Sequence, residues 1–578
     1  MSIPGCLDPE RIVPISRSST AVFKTGTWSA HRPEHREKSS PCRVACPAGT
    51  NIPSALFAAS QGDFDGALSA FLEESPLPGV CGSVCYHPCE KECNRGPWDG
   101  SVHIRTLERA AADYGNALPV PLTDTGRKHP VTVIGSGPAG LSAAYHLARM
   151  GHPVRLIEGR EEPGGLLRTG IPLYRLPQAV FERDLERIRS LDIEIRTGER
   201  IGAKELEGLR ARSSALFLSL GAQRSLSVKA PGMDLDGVLS GLDFLIKVRR
   251  GELVELHGRV VVIGGGNVAV DAARSACRLG ADKVELVCLE QRDDMPAHER
   301  ERGDAMEEGI LFYNGWGPKR VLGKEKRVVG VEFVQCTSVY DAQGRFHPSF
   351  EESELLNLEA DWVILAIGQA PDMTPFKGIP LAEKGCVEVD AATLATTWEG
   401  VFSGGDFVTG PRSVAEAIGA GKRAALSIHL YTRGLPLRDA DKKAVLGEGP
   451  GFSIHALFHA REGWDSKSVV RFEDLEPLFL DLHPRPSLDR LGSAERIKGF
   501  QEVDLPLNPR EAVQQAGRCF FCGTCTGCDR CFLYCPEASL LAPDETCAVY
   551  RPDSEYCKGC AVCAAVCPRG VMTMDRGT

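Results

Sequence analysis

The 578 residues contain no apolar run long enough to cross a bilayer. The opening Met-Ser-Ile-Pro-Gly-Cys-Leu-Asp-Pro-Glu lacks the charged-then-apolar pattern of a secretory signal, so a cytoplasmic protein without a membrane span is expected. No long basic run is present and the net charge is -10, which argues against nucleic acid as a partner. Neither glycine-rich turn described below has a C-x2-C or C-x4-C beside it, which disfavours the dithiol chemistry of a disulfide reductase. No segment is spare for an organic-substrate domain, and no side chain is assigned a catalytic role. At 43% hydrophobic and 25% charged residues the composition is that of a globular protein. The length predicts roughly three to five domains.

What is abundant is cysteine, 22 residues in all. Most lie in three groups: Cys42 and Cys46, Cys81 to Cys93, and Cys519 to Cys567. A secreted disulfide framework would be smaller and would not accompany nucleotide-binding turns, so metal ligation is the expected role. Cys6, Cys277, Cys288, Cys336 and Cys386 read as ordinary thiols, and Cys547 as a bystander.

Val131 to Ile134 reads as a buried parallel strand, Gly135-Ser136-Gly137-Pro138-Ala139-Gly140 as a phosphate-binding turn, and Leu141 onward as a helix. Gly135 makes the turn, Gly137 admits a pyrophosphate, and Gly140 lets helix and strand approach. Glu158 closes the next strand, where a carboxylate takes ribose hydroxyls; the unit is read as the seat of FAD. A second fingerprint occupies Gly258 to Ala269, with Gly264, Gly266, Asn267 and Val268 in its turn. Two such units imply a flavin that exchanges hydride with a nicotinamide. Glu290 falls where an acid would hold a free ribose 2′-hydroxyl and repel a 2′-phosphate, favouring NADH, while Arg292 keeps NADPH open. The chain then returns to the flavin unit through Gly368, and Gly405-Asp406 precedes a helix at Ser413 and Val414.

Near the end, Cys525-x2-Cys528-x2-Cys531-x3-Cys535-Pro and Cys557-x2-Cys560-x2-Cys563-x3-Cys567-Pro have the doubled spacing of a two-cluster bacterial ferredoxin. In that spacing the fourth cysteine of each run serves the other cluster. One [4Fe-4S] cluster is expected on Cys525, Cys528, Cys531 and Cys567, the other on Cys557, Cys560, Cys563 and Cys535. Cys81, Cys85, Cys89 and Cys93, each separated by three residues, could line one side of a helix or a loop round one centre; iron suits them, with zinc as the alternative.

Cys-Pro-x4-Ile-Pro at 46–53, Cys-Gly-x-Val-Cys at 81–85 and Ile104-Arg-Thr-Leu-Glu108-Arg resemble the small-subunit family of glutamate synthase, over nearly the whole chain. That resemblance implies one N-terminal cluster on Cys46, Cys85, Cys89 and Glu108. It also implies that Gly165, Leu166 and Gly170 line the isoalloxazine and that Asp406 meets the ribityl or phosphate region. The C-x2-C pair that the family places before Cys42 is missing, leaving Cys42 and Cys93 without partners. Cys519 and Cys522, in a segment resembling the missing piece, are expected to complete a cluster with them, within the chain or across a homodimer.

The expected architecture is multidomain α/β. It comprises a helical iron–sulfur domain (1–127), an FAD domain (128–250 and 368–432) interrupted by an NAD(P) domain (251–367), a linker (433–515) and an α+β ferredoxin domain (516–578). The expected function is NAD(P)H:acceptor oxidoreduction with a protein partner or soluble ferredoxin. The resemblance is greatest to the ferredoxin-bearing DsrL branch, whose partner is dissimilatory sulfite reductase. Electron-input subunits of glutamate synthase, a 2-oxoacid oxidoreductase or benzoyl-CoA reductase stay open, as does a non-enzymatic iron–sulfur carrier.

Overall fold

Val131–Ile134 is buried at every position, as β-branched and aliphatic residues between helix layers require, and forms the centre of a five-stranded parallel sheet. Its neighbours run Val401–Ser403, Ala215–Leu218, Val131–Ile134, Val154–Ile157, Ile193–Arg196. The long helix Val414–Thr432 packs on Pro138–Arg149 across this unit, and the Ser142 hydroxyl donates to the Ile418 carbonyl at 2.8 Å. In this computed structural model the described residues are 24–122, 129–376, 379–382, 385–438, 444–455, 464–544 and 549–576; Cys6 and Cys547 lie outside them.

A second parallel sheet has the order Leu311–Asn314, Lys283–Cys288, Arg259–Ile263, Trp362–Leu365, Val238–Ser240. Val363 to Leu365 pair with Val238 to Ser240, so the second dinucleotide unit begins before residue 251, where the sequence reading had drawn its boundary. The two sheets are joined by the short ribbon of Arg224–Ser225 and Gln369–Ala370. An antiparallel three-stranded sheet, Trp316–Lys324, Arg327–Tyr340 and Phe346–Glu359, stands beside the second unit.

The N-terminal segment serves two bodies. His31–His35 pairs antiparallel with Met572–Arg576, beside the C-terminal cysteine runs, while short helices follow one another from Pro41 to Tyr114. Residues 433–515, expected as a linker, form a strap instead. Glu37–Ser39 pairs with Trp464–Val469. Arg485 bonds Glu90, Asp504 bonds Arg105, Arg300 and Arg490, and Glu502 bonds Arg109. Proline and charge marked this stretch as a linker because its partners are arginines distant in sequence, which no local pattern reports.

Candidate functional site

Both glycine turns open on one cavity of about 1590 Å³. The first turn contributes Gly135, Ser136, Gly137, Pro138 and Ala139; the second Gly264, Gly266, Asn267 and Val268. A Cβ at Gly137 or Gly266 would meet nothing within 4 Å, leaving each open to a ligand. One at Gly140 would strike the Gly135 carbonyl and Ser219 Oγ, so Gly140 serves helix–strand packing and does not line the cavity. Glu158 is buried and accepts from the Ser136 and Arg160 backbone N–H groups at 3.0 and 2.9 Å, and from the Ser136 hydroxyl, which fixes its carboxylate at the rim of the turn. Gly165, Leu166, Gly170, Gly368, Gly405, Asp406, Ser413 and Val414 also line the cavity. Burial pushes the Asp406 carboxyl up to about 6, although the Arg412 N–H donates to it at 3.1 Å. These residues fit a dinucleotide at each turn, because each offers an open glycine at a helix N-terminus and a carboxylate at the next strand's end.

The carboxylate of Glu290 folds against Gly265. Arg292 does not line the cavity; it is exposed and its guanidinium lies 3.9 Å from Met306 Sδ. Cavity residues beyond the expected ones include Tyr86, Trp316 and Phe346, which come from other elements and carry no motif, and Asp271, on the helix that follows the second turn.

The cysteines gather in sets drawn from distant parts of the chain. Cys42, Cys93, Cys519 and Cys522 line one small cavity with Ile52, Leu56 and Phe520. Cys525, Cys528, Cys531 and Cys567 line a second, and Cys535, Cys557, Cys560 and Cys563 a third. Cys46, Cys81, Cys85 and Glu108 form a further buried group near enough to influence one another's charge, with Cys89 close to Cys46 and Cys85. The four cysteines from Cys81 to Cys93 therefore do not ring one centre. Cys85 ends a helix, Cys89 sits on the next, and Cys93 turns to the cavity of Cys42. Cys81, absent from the expected ligands, lies beside Glu108.

Burial pushes the thiols of Cys85, Cys522 and Cys531 up to about 12, so binding metal there must displace protons. Hydrogen-bond donors already point at the sulfurs: His87 N–H at Cys85 (3.3 Å), Thr50 hydroxyl at Cys46 (3.3 Å), Phe521 N–H at Cys519 (3.3 Å), Asn94 amide at Cys522 (3.4 Å). Among the described residues no three His, Cys, Asp or Glu side chains converge on a point that would hold a single metal ion. A tetrahedral zinc with bonds of about 2.3 Å would draw its sulfurs to within about 4 Å of one another, whereas thiolates ringing a cavity suit a cluster. Glu108 is buried beside these thiols, burial raises its carboxyl well above the usual range, and it forms no hydrogen bond or ion pair among the described residues. An acid so placed fits a ligand role better than a solvated helix face.

The set of Cys46 and Cys85 is fastened to the first dinucleotide unit. Lys422, fully buried on the helix after Ser413, donates to Glu74 at 2.7 Å and to the Ala48 carbonyl, and Arg43 meets Glu74 at 3.4 Å. A Cβ at Gly419 would strike the Pro47 carbonyl, so this helix lies directly on the segment after Cys46. Val84 and Tyr86, on either side of Cys85, are cavity walls.

The family model "Pyridine nucleotide-disulphide oxidoreductase" matches residues 129–421, and "Dihydropyrimidine dehydrogenase domain II, 4Fe-4S cluster" matches 29–118. The chain is 34% identical to the NADP(+)-dependent formate dehydrogenase subunit beta of Moorella thermoacetica, over 84% of this chain and 70% of that one. It is 35% identical to the NADPH-Fe(3+) oxidoreductase subunit beta of Geobacter sulfurreducens, over 84% and 75%. It is 33% identical to the glutamate synthase [NADPH] small chain of Azospirillum brasilense, over 68% and 86%. No helix among the described residues is long and apolar enough to cross a membrane.

Proposed function

We propose that this chain, which belongs to the pyridine nucleotide-disulphide oxidoreductase family, carries electrons between a nicotinamide dinucleotide and a protein partner. The observation that carries this reading is the single cavity walled by both glycine turns and by the residues flanking Cys85. When bound, FAD supplies hydride exchange and [4Fe-4S] clusters supply one-electron transfer. The protein's part is placement. Ser136, Gly137 and Glu158 would hold the flavin nucleotide, and Gly264, Gly266 and Asn267 the nicotinamide one. Cys46, Cys85, Cys89 and Glu108 would hold the nearest cluster, followed by Cys42, Cys93, Cys519 and Cys522, and then by the two ferredoxin sets. Gly523 and Thr524 alone separate Cys522 from Cys525, which supports this order.

Glu290 supports NADH as the nucleotide, because its carboxylate opposes a 2′-phosphate and Arg292 does not line the cavity. Two of the relatives are named as subunits, which supports a partner protein. The resemblance of the ferredoxin-bearing sequence to the branch that works with dissimilatory sulfite reductase makes that reductase the first partner to test. Anaerobic mixing of the purified protein with NADH or NADPH tests the core of the reading. Bleaching of bound flavin followed by reduction of a one-electron acceptor is expected with NADH. A flavin that neither nucleotide bleaches would leave only an iron–sulfur carrier.

A further inference from the structure

The antiparallel sheet beside the second dinucleotide unit is bound to the end of the ribose-binding strand. The Glu290 carbonyl accepts from the Gly315 N–H at 3.1 Å and from the Asn314 amide at 3.2 Å, and the Leu289 side chain and the Phe350 ring crowd against Gly317. Three members of this sheet, Trp316, Pro318 and Phe346, line the same cavity as Leu289, Glu290 and Pro296. Phe346 does so while 66% of its surface remains exposed. Phe346 therefore presents an uncovered aromatic face to the cavity. Tyr340, its partner across the hairpin, meets it edge-on with ring centroids 6.3 Å apart and braces its orientation.

An exposed aromatic face in the cavity that Glu290 also lines suits a purine, whose flat π surface can stack where no hydrogen-bond pattern is needed. Resting on the proposed nicotinamide role of the second turn, we infer that Phe346 is the platform for the adenine of that dinucleotide, supplied by the antiparallel sheet rather than by the dinucleotide fold itself. Phe346 is then a positioning residue. It holds the adenosine half and leaves the nicotinamide chemistry untouched.

Two ligands divide the dinucleotide between them. ADP-ribose carries the adenosine half and reduced nicotinamide mononucleotide the other. Calorimetry of ADP-ribose with the oxidised, FAD-loaded protein is expected to show about tenfold weaker binding to Phe346→Ala, restored in Phe346→Tyr. The KM for NADH should rise by a similar factor at unchanged kcat, while reduced nicotinamide mononucleotide bleaches the flavin equally in both proteins. Unchanged ADP-ribose affinity in Phe346→Ala, with wild-type bleaching by NADH intact, would overturn the adenine platform alone. Equal loss of mononucleotide activity would also overturn it, because the residue would then act beyond the adenosine half. A wild-type flavin that no reduced nicotinamide bleaches would overturn the underlying reading as well.

Discussion

Replacing Cys519 by alanine isolates one of the four cysteine sets. If each set holds one [4Fe-4S] cluster, the intact protein carries about 16 irons and the variant should lose about four, a quarter of the total. The fold should survive. Cys519 follows the helix Pro509–Gly517, which stays packed on Ile52–Ser60, and Phe521 meets Phe57 edge-on at 5.4 Å, contacts that outlast the single Phe521 N–H bond to the sulfur. In the proposed order this set stands between Cys46, Cys85 and Cys89 on one side and the ferredoxin sets on the other, so its loss should interrupt the path without touching the cavity. Iron and flavin analysis after anaerobic reconstitution, with NADH-driven bleaching and reduction of the ferredoxin clusters followed separately, reads each step. The expected result is full flavin, normal bleaching, about a quarter less iron and slow ferredoxin reduction. Cys336→Ala, at a buried thiol outside the four cysteine sets, should keep all its iron. Unchanged iron in Cys519→Ala would refute the grouping, and normal ferredoxin reduction would refute the order.

Lys422→Met should cost about 3–5 kcal/mol, because it leaves Glu74 buried with Arg43 as its remaining cation; denaturant titration of the loaded protein measures it, and a loss below 1 kcal/mol would contradict the buried pairing. The Asp406 carboxyl, raised to about 6 from 3.8, contributes stability that is full below about pH 4 and lost as pH rises through about 6. In the flavin-free protein Asp406→Asn should therefore match wild type near pH 4 and exceed it by at most about 3 kcal/mol at pH 8, with equal differences at both pH values as the refuting outcome. Glu290→Gln should improve the ratio of NADPH to NADH use about tenfold by removing the repulsion of a 2′-phosphate, and an unaltered ratio would deny Glu290 its selecting role.

The strands before Gly135 and Gly264 were legible because a buried parallel strand must be continuously apolar and a phosphate turn must be glycine. The ferredoxin sets were legible because their spacing already encodes which sulfurs can meet. Short-range chemistry of that kind is written into neighbouring residues. The strap was not legible: Asp504 gains its meaning from Arg105 and Arg300, which come from two other stretches of chain, and from Arg490 across the strap's own bend. Nor was the pairing of His31–His35 with Met572–Arg576, since an edge strand of five residues carries little pattern without its partner. Cys81 beside Glu108 and Phe346 at the cavity mouth follow the same rule. Sequence alone determined the two dinucleotide turns and the ferredoxin runs, because each rests on residues a few positions apart. Only the tertiary structure decided that both turns share one cavity and that Cys519 and Cys522 reach Cys42 and Cys93 within one chain, because burial joins side chains by distance in space and not along the chain.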